Sequence, residues 1–315
     1  MEIGPTTLRE FGIALFDMLF KDGVKTLYDQ LCDATITENR SSRVRLRIRN
    51  DVPALSFIPW ELMYDKKLRQ HISCHQFIHL TRSVDAKDIT SKRTLPITIL
   101  GMAARPSTID GRVVGFIDAD AEQQRITKAF AELEDDCLVD LNWTGSCSIF
   151  SLGLRLDRPP KKSDGLAEGW DVFHFIGHGG LDETGNGYVI VQEDGGIGGQ
   201  FLYADVLAGL LVRPGGPQLV VLSSCSGAQA KPGELFSDTA STLVMAGIPA
   251  VLAMQTEITD SAAIIFMTAF YASLSSRKSL QHAITEARNQ LKARFPTEWP
   301  TPVLYLRGDG RIFEL

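Results

Sequence analysis

The chain has 315 residues, enough for one large domain or two smaller ones. Hydrophobic residues make up 44% and charged residues 22%, an ordinary globular composition that argues against extensive disorder. The formal net charge of −6 and the absence of a long basic run disfavour a general nucleic-acid-binding protein.

The N-terminus gives no sign of a targeting segment. Its apolar run carries a glutamate at position 2 and is interrupted at Asp17, unlike a signal peptide. The longest nearly apolar stretch, residues 262–274, is too short to span a bilayer. Five cysteines without regular spacing disfavour a disulfide framework. We therefore expect a cytoplasmic protein with free thiols that binds neither membranes nor nucleic acid.

Residues 1–94 are predicted to form helices followed by strands. Apolar residues recur at helical spacing from Leu8 to Phe20 and again from Val24 to Leu31. The segments VRLRIRN (44–50) and HQFIHLTR (75–82) are predicted to be strands.

Two clusters in this N-terminal part have the residue types of a ligand site. Three arginines alternate along VRLRIRN: Arg45, Arg47 and Arg49. They would share one strand face, and we favour a solvated face over a phosphate-binding patch. Four side chains of HISCHQFIH are zinc-ligand types: His71, Cys74, His75 and His79. Only His75 and His79 would share a strand face, so we predict no bound metal and no cofactor.

From residue 95 apolar strands alternate with amphipathic helices. The predicted strands are 95–103, 137–142, 172–176, 218–224, 249–254 and 302–306. Continuous Val, Ile and Leu runs suit strands buried on both faces, as in a parallel sheet between helices. Ser279 is a predicted helix N-cap, and Gly247 should end another helix. The prediction is an α/β fold with a mainly parallel sheet, in which residues 95–315 form the core and residues 1–94 an elaboration.

Two of the predicted strands are followed by reactive side chains, His178 after DVFHFIG and Cys225 after VVLSS. Ligands of an open α/β sheet bind at the carboxyl ends of its strands. An imidazole there can accept the proton of a thiol and produce a thiolate nucleophile. N–H groups of Gly177, Gly179 and Gly180 could hold an oxyanion. The alternative is a buried small cysteine and a turn histidine, and the residues alone leave both interpretations open.

Several blocks of the sequence resemble the CHAT-domain family, the bacterial branch of the caspase/separase-like (clan CD) cysteine peptidases. In order they are LSFIPWELMYD (55–65), HFIGHGG (174–180), VVLSSCSGA (220–228), GIPAVLAMQTEITDSAAIIFMTAFYASL (247–274), AITEARNQL (283–291) and PVLYLRGDG (302–310). The blocks are separate, they follow the family's order, and they extend over nearly the whole chain.

The resemblance implies a caspase-hemoglobinase fold whose first 94 residues correspond to the pseudo-caspase-like part. It also implies a cysteine endopeptidase in which Cys225 attacks the scissile carbonyl and His178 is the general base and acid. Gly179 would supply an N–H of the oxyanion hole. His174 matches the family block too, but we expect it to be a hydrogen-bonded histidine of the core. No third catalytic residue is assigned.

The substrate-binding residues depart from the pattern of some relatives. Metacaspase- and clostripain-like relatives carry an aspartate two residues before the nucleophile, which helps to bind a basic P1 side chain, whereas this chain has Ser223. Strict Arg or Lys specificity is therefore not implied, although Glu257 or Asp260 could supply a carboxylate. The arginines that give caspases their aspartate preference have no counterpart that we can assign.

The family context implies limited proteolysis of a partner protein in a bacterial stress or antiphage response. Because the chain lacks repeats and a ligand-sensing domain, we expect a separate sensor or activator protein, unless the sequence is a fragment. The alternative is a non-catalytic CHAT module that recruits partner proteins. A nucleotide-binding domain is disfavoured because the glycine-rich EDGGIGGQ (193–200) lacks a phosphate-loop motif. The loops 157–169 and 227–238 are predicted to be mobile without substrate, the second as a lid over the site.

Overall fold

A computed structural model describes residues 4–37, 43–49, 55, 57–84, 91–92, 95–109, 111–113, 119–160, 169–196, 198–223, 236–308 and 313–314. Its α-helices are α1 (Pro5–Leu19), α2 (Asp22–Thr37), α3 (Ala119–Asp135), α4 (Ile149–Leu156), α5 (Ala204–Leu211), α6 (Ser237–Ala246), α7 (Asp260–Ser275) and α8 (Leu280–Arg294). Two short 3₁₀ helices lie at Trp60–Leu62 and Ile72–Cys74.

The strands belong to two larger sheets and two small ribbons. In chain order they are β1 (Val44–Arg49), β2 (Tyr64–Asp65), β3 (Gln70–His71), β4 (Ile78–Val84), β5 (Ser91–Lys92), β6 (Ile97–Ala103), β7 (Thr108–Ile109), β8 (Arg112–Val113), β9 (Val139–Trp143), β10 (Val172–Ile176), β11 (Gly179–Leu181), β12 (Gly187–Gln192), β13 (Gly199–Tyr203), β14 (Leu219–Ser223), β15 (Ala250–Met254), β16 (Pro302–Arg307) and β17 (Phe313–Glu314).

The main sheet has eight strands in the order β1-β4-β16-β15-β14-β10-β6-β9. Every neighbouring pair is parallel except β15 and β16. The strands β15, β14, β10, β6 and β9 therefore end at the same edge of the sheet. Ligands of open α/β sheets bind at such an edge, so this is where a site is expected.

The centre of the main sheet is covered on both faces. Every residue of β10, β14 and β15 is buried, and successive side chains point to opposite faces. Helix α7 lies on the face of His174, because the Tyr271 hydroxyl lies 3.5 Å from the His174 Nδ1. The predicted α/β fold with a mainly parallel sheet between helices is confirmed.

The N-terminal part is joined to the core where β4 pairs with β16 of the main sheet, and it contains a buried ion pair of its own. Strands β1 and β4 extend the sheet beyond β16, and the arginines of β1 are exposed. Glu61, within the Pro-Trp-Glu-Leu block, accepts a hydrogen bond from Arg82 of β4 at 2.9 Å, and both side chains are almost fully buried. The same Arg82 donates to the Ile58 carbonyl at 2.9 Å. The block therefore fastens its loop to the sheet.

A second sheet, β11-β12-β13-β7-β8, is adjacent in sequence to the end of β10. The turn between β11 and β12 is held by Asp182, whose carboxylate accepts hydrogen bonds from the Thr184 and Asn186 backbone N–H groups at 2.9 Å. The Thr184 hydroxyl, donating at 2.7 Å, is the main reason that the pKa of Asp182 is lowered to about 2. The Asn186-Gly187 pair therefore lies where this turn passes into β12.

The predicted strands of the core agree with the structure to within a few residues, and two helix ends are also as predicted. The Ser279 hydroxyl caps α8 by accepting from the His282 N–H at 3.2 Å. Helix α6 ends at Gly247, whose φ of 133° suits a residue without a Cβ. Among the described residues, none of the helices is both long enough and apolar enough to cross a membrane.

Candidate functional site

The ends of β10 and β14 lie side by side at the carboxyl edge of the main sheet. Ile176 and Ser223 are register partners, and the Gly177 N–H donates to the Ser223 carbonyl at 3.1 Å. His178 follows Ile176 by two residues, and Cys225 follows Ser223 by two residues. The last residues of β10 and β14 therefore lie next to each other. Cys225 itself lies outside the residues that the structure describes.

His178 is held where the chain passes from the main sheet into the second one. Its carbonyl accepts a hydrogen bond from the Ile190 N–H of β12 at 2.9 Å, and the residue is 6% exposed. The preceding Gly177 packs tightly, since a Cβ there would lie 2.7 Å from the Phe175 ring and 3.3 Å from Ala104. The glycine thus permits a close approach of the ends of β10, β6 and β14, because it also donates to the Ser223 carbonyl.

The Gly179 N–H is directed away from β12. Antiparallel residues form hydrogen-bonded and non-bonded pairs in alternation. Because Ile190 bonds to His178, the Gly179 and Val189 pair is a non-bonded one. β11 is the terminal strand of its sheet, and no described strand pairs with its other side. The Gly179 N–H therefore points away from β12, toward the side of β11 on which no described strand pairs.

Phe236 covers one face of Gly179. A Cβ on Gly179 would lie 2.2 Å from the Phe236 ring, which is too close for any side chain larger than hydrogen. Phe236 is fully buried and immediately precedes α6. It is also the first described residue after the segment that contains Cys225. No local sequence pattern marks Phe236, because its position in the chain does not show that its ring packs on Gly179.

His174 lies within the core, as predicted, in the middle of β10. It is fully buried, and burial lowers its pKa to about 3. Its nearest polar contact among the described residues is the Tyr271 hydroxyl, 3.5 Å from Nδ1, and its Nε2 has no hydrogen-bond partner there. The ring is therefore neutral at physiological pH and contributes to packing rather than to the exposed edge.

The three candidate substrate-binding residues differ in their surroundings. Ser223 is fully buried at the end of β14, and its hydroxyl has no hydrogen-bond partner among the described residues. Glu257 is exposed and follows β15 by three residues. Asp260 begins α7, and its carboxylate forms an ion pair with Arg125 of α3. Arg125 is 135 residues away in sequence, so no local pattern could have revealed this pairing.

The thiols and histidines outside the site are structural in character. Of the described cysteines, Cys32, Cys74 and Cys147 are buried and Cys137 is exposed. Burial raises the pKa of both Cys74 and Cys147. In the HISCHQFIH segment, the His71 Nδ1 lies 2.8 Å from the Leu62 carbonyl, and within the described ranges no cluster of three or more His, Cys, Asp or Glu side chains could hold a metal ion.

The two predicted mobile loops fall largely outside the described part of the chain. Of residues 157–169, the structure describes 157–160 and 169, and of residues 227–238 it describes 236–238. The described end of the second loop is packed, because the Asp238 carboxylate accepts a hydrogen bond from the Gly187 N–H at 2.7 Å. The prediction of a lid over the site remains a prediction.

The model of the CHAT domain family matches residues 11–301 of the chain. Among curated protein sequences, none matches. Saccharomyces cerevisiae separase, solved in complex with securin, is similar at 15% identity and a TM-score of 0.45, over 90% of this chain and 17% of the separase chain. Gingipain R, an Arg-specific cysteine proteinase, is similar at 11% identity and a TM-score of 0.47, over 96% of this chain and 67% of the gingipain chain. This chain thus spans about a sixth of the separase chain.

Proposed function

The chain belongs to the CHAT domain family, and from that premise we propose that it is a cysteine endopeptidase with Cys225 as nucleophile and His178 as general base. The observation that carries the proposal is the pairing of β10 with β14. Ile176 and Ser223 are register partners, and His178 and Cys225 each follow one of them by two residues in the sequence. The proposal requires the Cys225 thiol and the His178 imidazole to come within hydrogen-bond reach of each other.

In this mechanism the Cys225 thiol gives its proton to His178, and the thiolate sulfur attacks the carbonyl carbon of the substrate peptide. The carbonyl oxygen becomes an oxyanion, which the Gly179 N–H is positioned to bind because it points to the open edge of β11. His178 then returns the proton to the leaving amine as the C–N bond breaks. Water hydrolyses the resulting thioester and releases the second product and the free thiol.

The buried hydroxyl of Ser223 and the exposed carboxylate of Glu257 together define the proposed P1 preference. Ser223 is uncharged and fully buried, so it offers no carboxylate to a basic P1 group. Asp260 is already paired with Arg125, whereas no ion pair of Glu257 occurs within the described residues. A basic P1 residue would therefore be selected by Glu257 rather than by Asp260.

A matched pair of variants tests this assignment. Glu257→Gln should lower kcat/KM for Arg and Lys P1 peptides by on the order of 10-fold or more, because it removes the negative charge of this carboxylate but keeps its shape. Asp260→Asn should leave the preference between basic and neutral P1 residues unchanged. Equal effects of the two variants, or an effect of Asp260→Asn alone, would contradict the role of Glu257.

We place this peptidase in limited proteolysis of a partner protein during a bacterial stress or antiphage response, switched on by a separate sensor or activator protein. The alternative is a CHAT module that recruits partners without catalysis. The peptidase and the recruiting module differ in the reactivity expected of the Cys225 thiol. In the peptidase this thiol gives its proton to His178, and the resulting thiolate is alkylated faster than a neutral thiol.

Thiol alkylation distinguishes these functions without knowledge of the substrate. The measurement uses a Cys137→Ser background, since Cys137 is the exposed competitor among the described cysteines. Cys225 should then be modified faster than the buried Cys32, Cys74 and Cys147, and His178→Ala should slow that reaction. His75→Ala is the matched control and should leave the rate unchanged. A Cys225 rate equal to that of the buried thiols and indifferent to His178 would favour the recruiting module.

A further inference from the structure

Strand β11 continues directly from His178, and no described strand covers one of its two edges. It is the terminal strand of the second sheet, and β12 pairs with its other side. Gly179 and Leu181 are partly exposed, whereas Gly180 between them is buried. The edge of a strand carries a row of backbone donors and acceptors, and an extended peptide can add to such a row as a further strand.

The pairing of β11 with β12 shows which backbone groups face this edge. Because the Gly179 pair is a non-bonded one, the Gly180 pair is bonded and the Leu181 pair is again non-bonded. The turn after β11 agrees with this alternation, since the Asp182 N–H donates to the Asn186 carbonyl at 3.0 Å. The N–H and C=O groups of both Gly179 and Leu181 therefore point away from β12. We call these four groups the β11 edge.

The proposed mechanism determines which part of a substrate lies beside the β11 edge. His178 returns its proton to the leaving amine, so the nitrogen of P1′, the first residue after the scissile bond, must lie next to His178. A basic P1 side chain is assigned to Glu257, which follows β15, and β15 and β10 lie on opposite sides of β14. The residues after the scissile bond thus leave on the side of β10, where β11 begins.

A parallel ladder is the pairing that satisfies these requirements. When the Gly179 N–H donates to the P1 carbonyl, which becomes the oxyanion, residue P1′ lies opposite Gly179. The P2′ N–H then donates to the Gly179 carbonyl, and the P2′ carbonyl accepts from the Leu181 N–H, as in any parallel pair. The N–H groups of P1′ and P3′ point away from β11. An antiparallel peptide with the same P1 contact would instead place P3 opposite Leu181.

The glycines of β11 leave room for the side chains of such a peptide. Residues opposite each other in a ladder direct their side chains to the same face, so the P2′ side chain shares the face of Gly180. On that face a Cβ on Gly180 would lie 2.9 Å from the Tyr188 hydroxyl. Because Tyr188 belongs to β12, its ring reaches across β11 in the direction of the β11 edge. Its hydroxyl is thus placed to form a hydrogen bond with a polar P2′ side chain.

We propose that the β11 edge binds the substrate main chain from P1 to P2′, parallel to β11, and that the Tyr188 hydroxyl contacts the P2′ side chain. The inference rests on the proposed peptidase function, because that function places the scissile bond beside His178. The substrate class is an extended segment with a free N–H at P2′. Proline at P2′ is excluded, because it has no N–H to donate to the Gly179 carbonyl.

Internally quenched peptides with arginine at P1 and alanine from P4 to P2 and from P1′ to P4′ test the pairing. N-methylation at P2′ should lower the wild-type kcat/KM by on the order of 10-fold or more, because the Gly179 carbonyl loses its donor. N-methylation at P3′ is the matched control and should have little effect, since that N–H points away. Serine at P2′ should be preferred over alanine, and Tyr188→Phe should remove the preference.

Two kinetic results would overturn the proposal. Equal losses from N-methylation at P2′ and at P3′ would show that the P2′ N–H makes no specific contact. A loss with a peptide N-methylated at P3, but not with the peptide N-methylated at P2′, would assign the antiparallel arrangement.

Amide hydrogen exchange in the Cys225→Ala protein tests the β11 edge without catalysis. At a concentration of the unmodified peptide about ten times its Kd, exchange of the Gly179 and Leu181 N–H groups should slow by on the order of 10-fold. The Gly180 N–H, already bonded to β12, should not change, and the peptide N-methylated at P2′ should bind more weakly and protect less. Protection without cleavage by the wild type would refute the peptidase function but keep the β11 edge as a peptide-binding site. Absence of protection would overturn the β11 edge, whether or not the wild type cleaves.

Discussion

The interior of β10 and its carboxyl end each carry a histidine, and the two lie in different surroundings although both are buried. His174 is fully buried, its pKa is lowered to about 3 by burial, and its nearest described polar neighbour is Tyr271. His178, four residues later, lies at the sheet edge among glycines, with its carbonyl fixed by β12. In the mechanism that we propose, position relative to the sheet edge rather than residue type distinguishes the general base His178 from His174.

The same contrast applies to the whole molecule. Buried charges need internal partners, as Arg82 of β4 has in Glu61, because an unpaired buried charge is strongly destabilising. At the carboxyl edge, glycines and strand ends leave backbone N–H groups and side chains open to a ligand. Substitutions inside the sheet should hence change stability, and substitutions at the edge should change activity.

The largest expected effect is loss of activity at the edge. Cys225→Ala and His178→Ala should each lower kcat/KM on the natural substrate by on the order of 10⁴-fold or more, while the free energy of unfolding changes by about 1 kcal/mol or less. The double variant should be no worse than either single one, because nucleophile and base act as a unit. Cys225→Ser should also be nearly inactive, since its hydroxyl is far less acidic than a thiol.

The assay pairs purified protein with its natural partner substrate and, where needed, its activator. Unfolding in urea provides the parallel stability measurement. Cleavage that persists in Cys225→Ala would assign the chemistry to another residue. If Cys225→Ala or His178→Ala unfolded the protein, the loss of activity would reflect lost structure, and the edge residues would not differ from those of the interior.

The next largest effect should come from the buried ion pair in the interior. Glu61→Ala leaves the Arg82 guanidinium without its carboxylate in a site where both side chains are at most 2% exposed. Breaking such a pair costs about 3–5 kcal/mol of unfolding free energy. Asp17→Ala, which breaks an exposed pair with Lys66, is the control and should cost less than about 1 kcal/mol.

Urea denaturation measures both variants. If both variants lower the free energy of unfolding equally, the Pro-Trp-Glu-Leu block does not fasten its loop through Glu61. Burial of the Glu61–Arg82 pair would then add nothing to its contribution to stability.

The strands of the core were predictable from sequence because continuous apolar runs identify segments buried on both faces. Strand order was not, since no local pattern records that β14 lies between β10 and β15 or that β16 runs antiparallel. β11 is the three-residue GGL, which has no strand pattern and is extended only because β12 pairs with it. The ends of β10 and β14 could thus be inferred from the sequence, but the pairing of Ile176 with Ser223 is known only from the register of the sheet.

A smaller effect should appear in the pH dependence of stability. His174 has a pKa of about 3 in the folded protein and an ordinary value near 6.5 when unfolded, so the unfolded state binds more protons between these values. Its contribution is fully present above pH 6.5 and is lost as the pH falls, by about 1.4 kcal/mol per pH unit at most. His71 and His79, with pKa values lowered to about 4 by burial, act in the same direction.

Urea denaturation from pH 7 to pH 4.5 measures this dependence. His174→Phe should make the fall in stability shallower by roughly one proton equivalent, while Tyr271→Phe should keep the wild-type slope because the histidine remains buried. An unchanged slope in His174→Phe would mean that His174 is not held neutral in the folded interior.

The smallest effect, and the only stabilising one, should come from a glycine that the fold does not need. Gly153 lies within α4, and a Cβ built there meets nothing within 4 Å, in contrast to Gly179 against Phe236. Gly153→Ala should therefore raise the free energy of unfolding by about 0.5–1 kcal/mol, because alanine loses less conformational freedom in a helix. Gly179→Ala, measured alongside, should lower both stability and activity, since its methyl group would displace the Phe236 ring beside His178. If Gly179→Ala changed neither stability nor activity, the Phe236 ring would not exclude a side chain at position 179, and this prediction would be wrong.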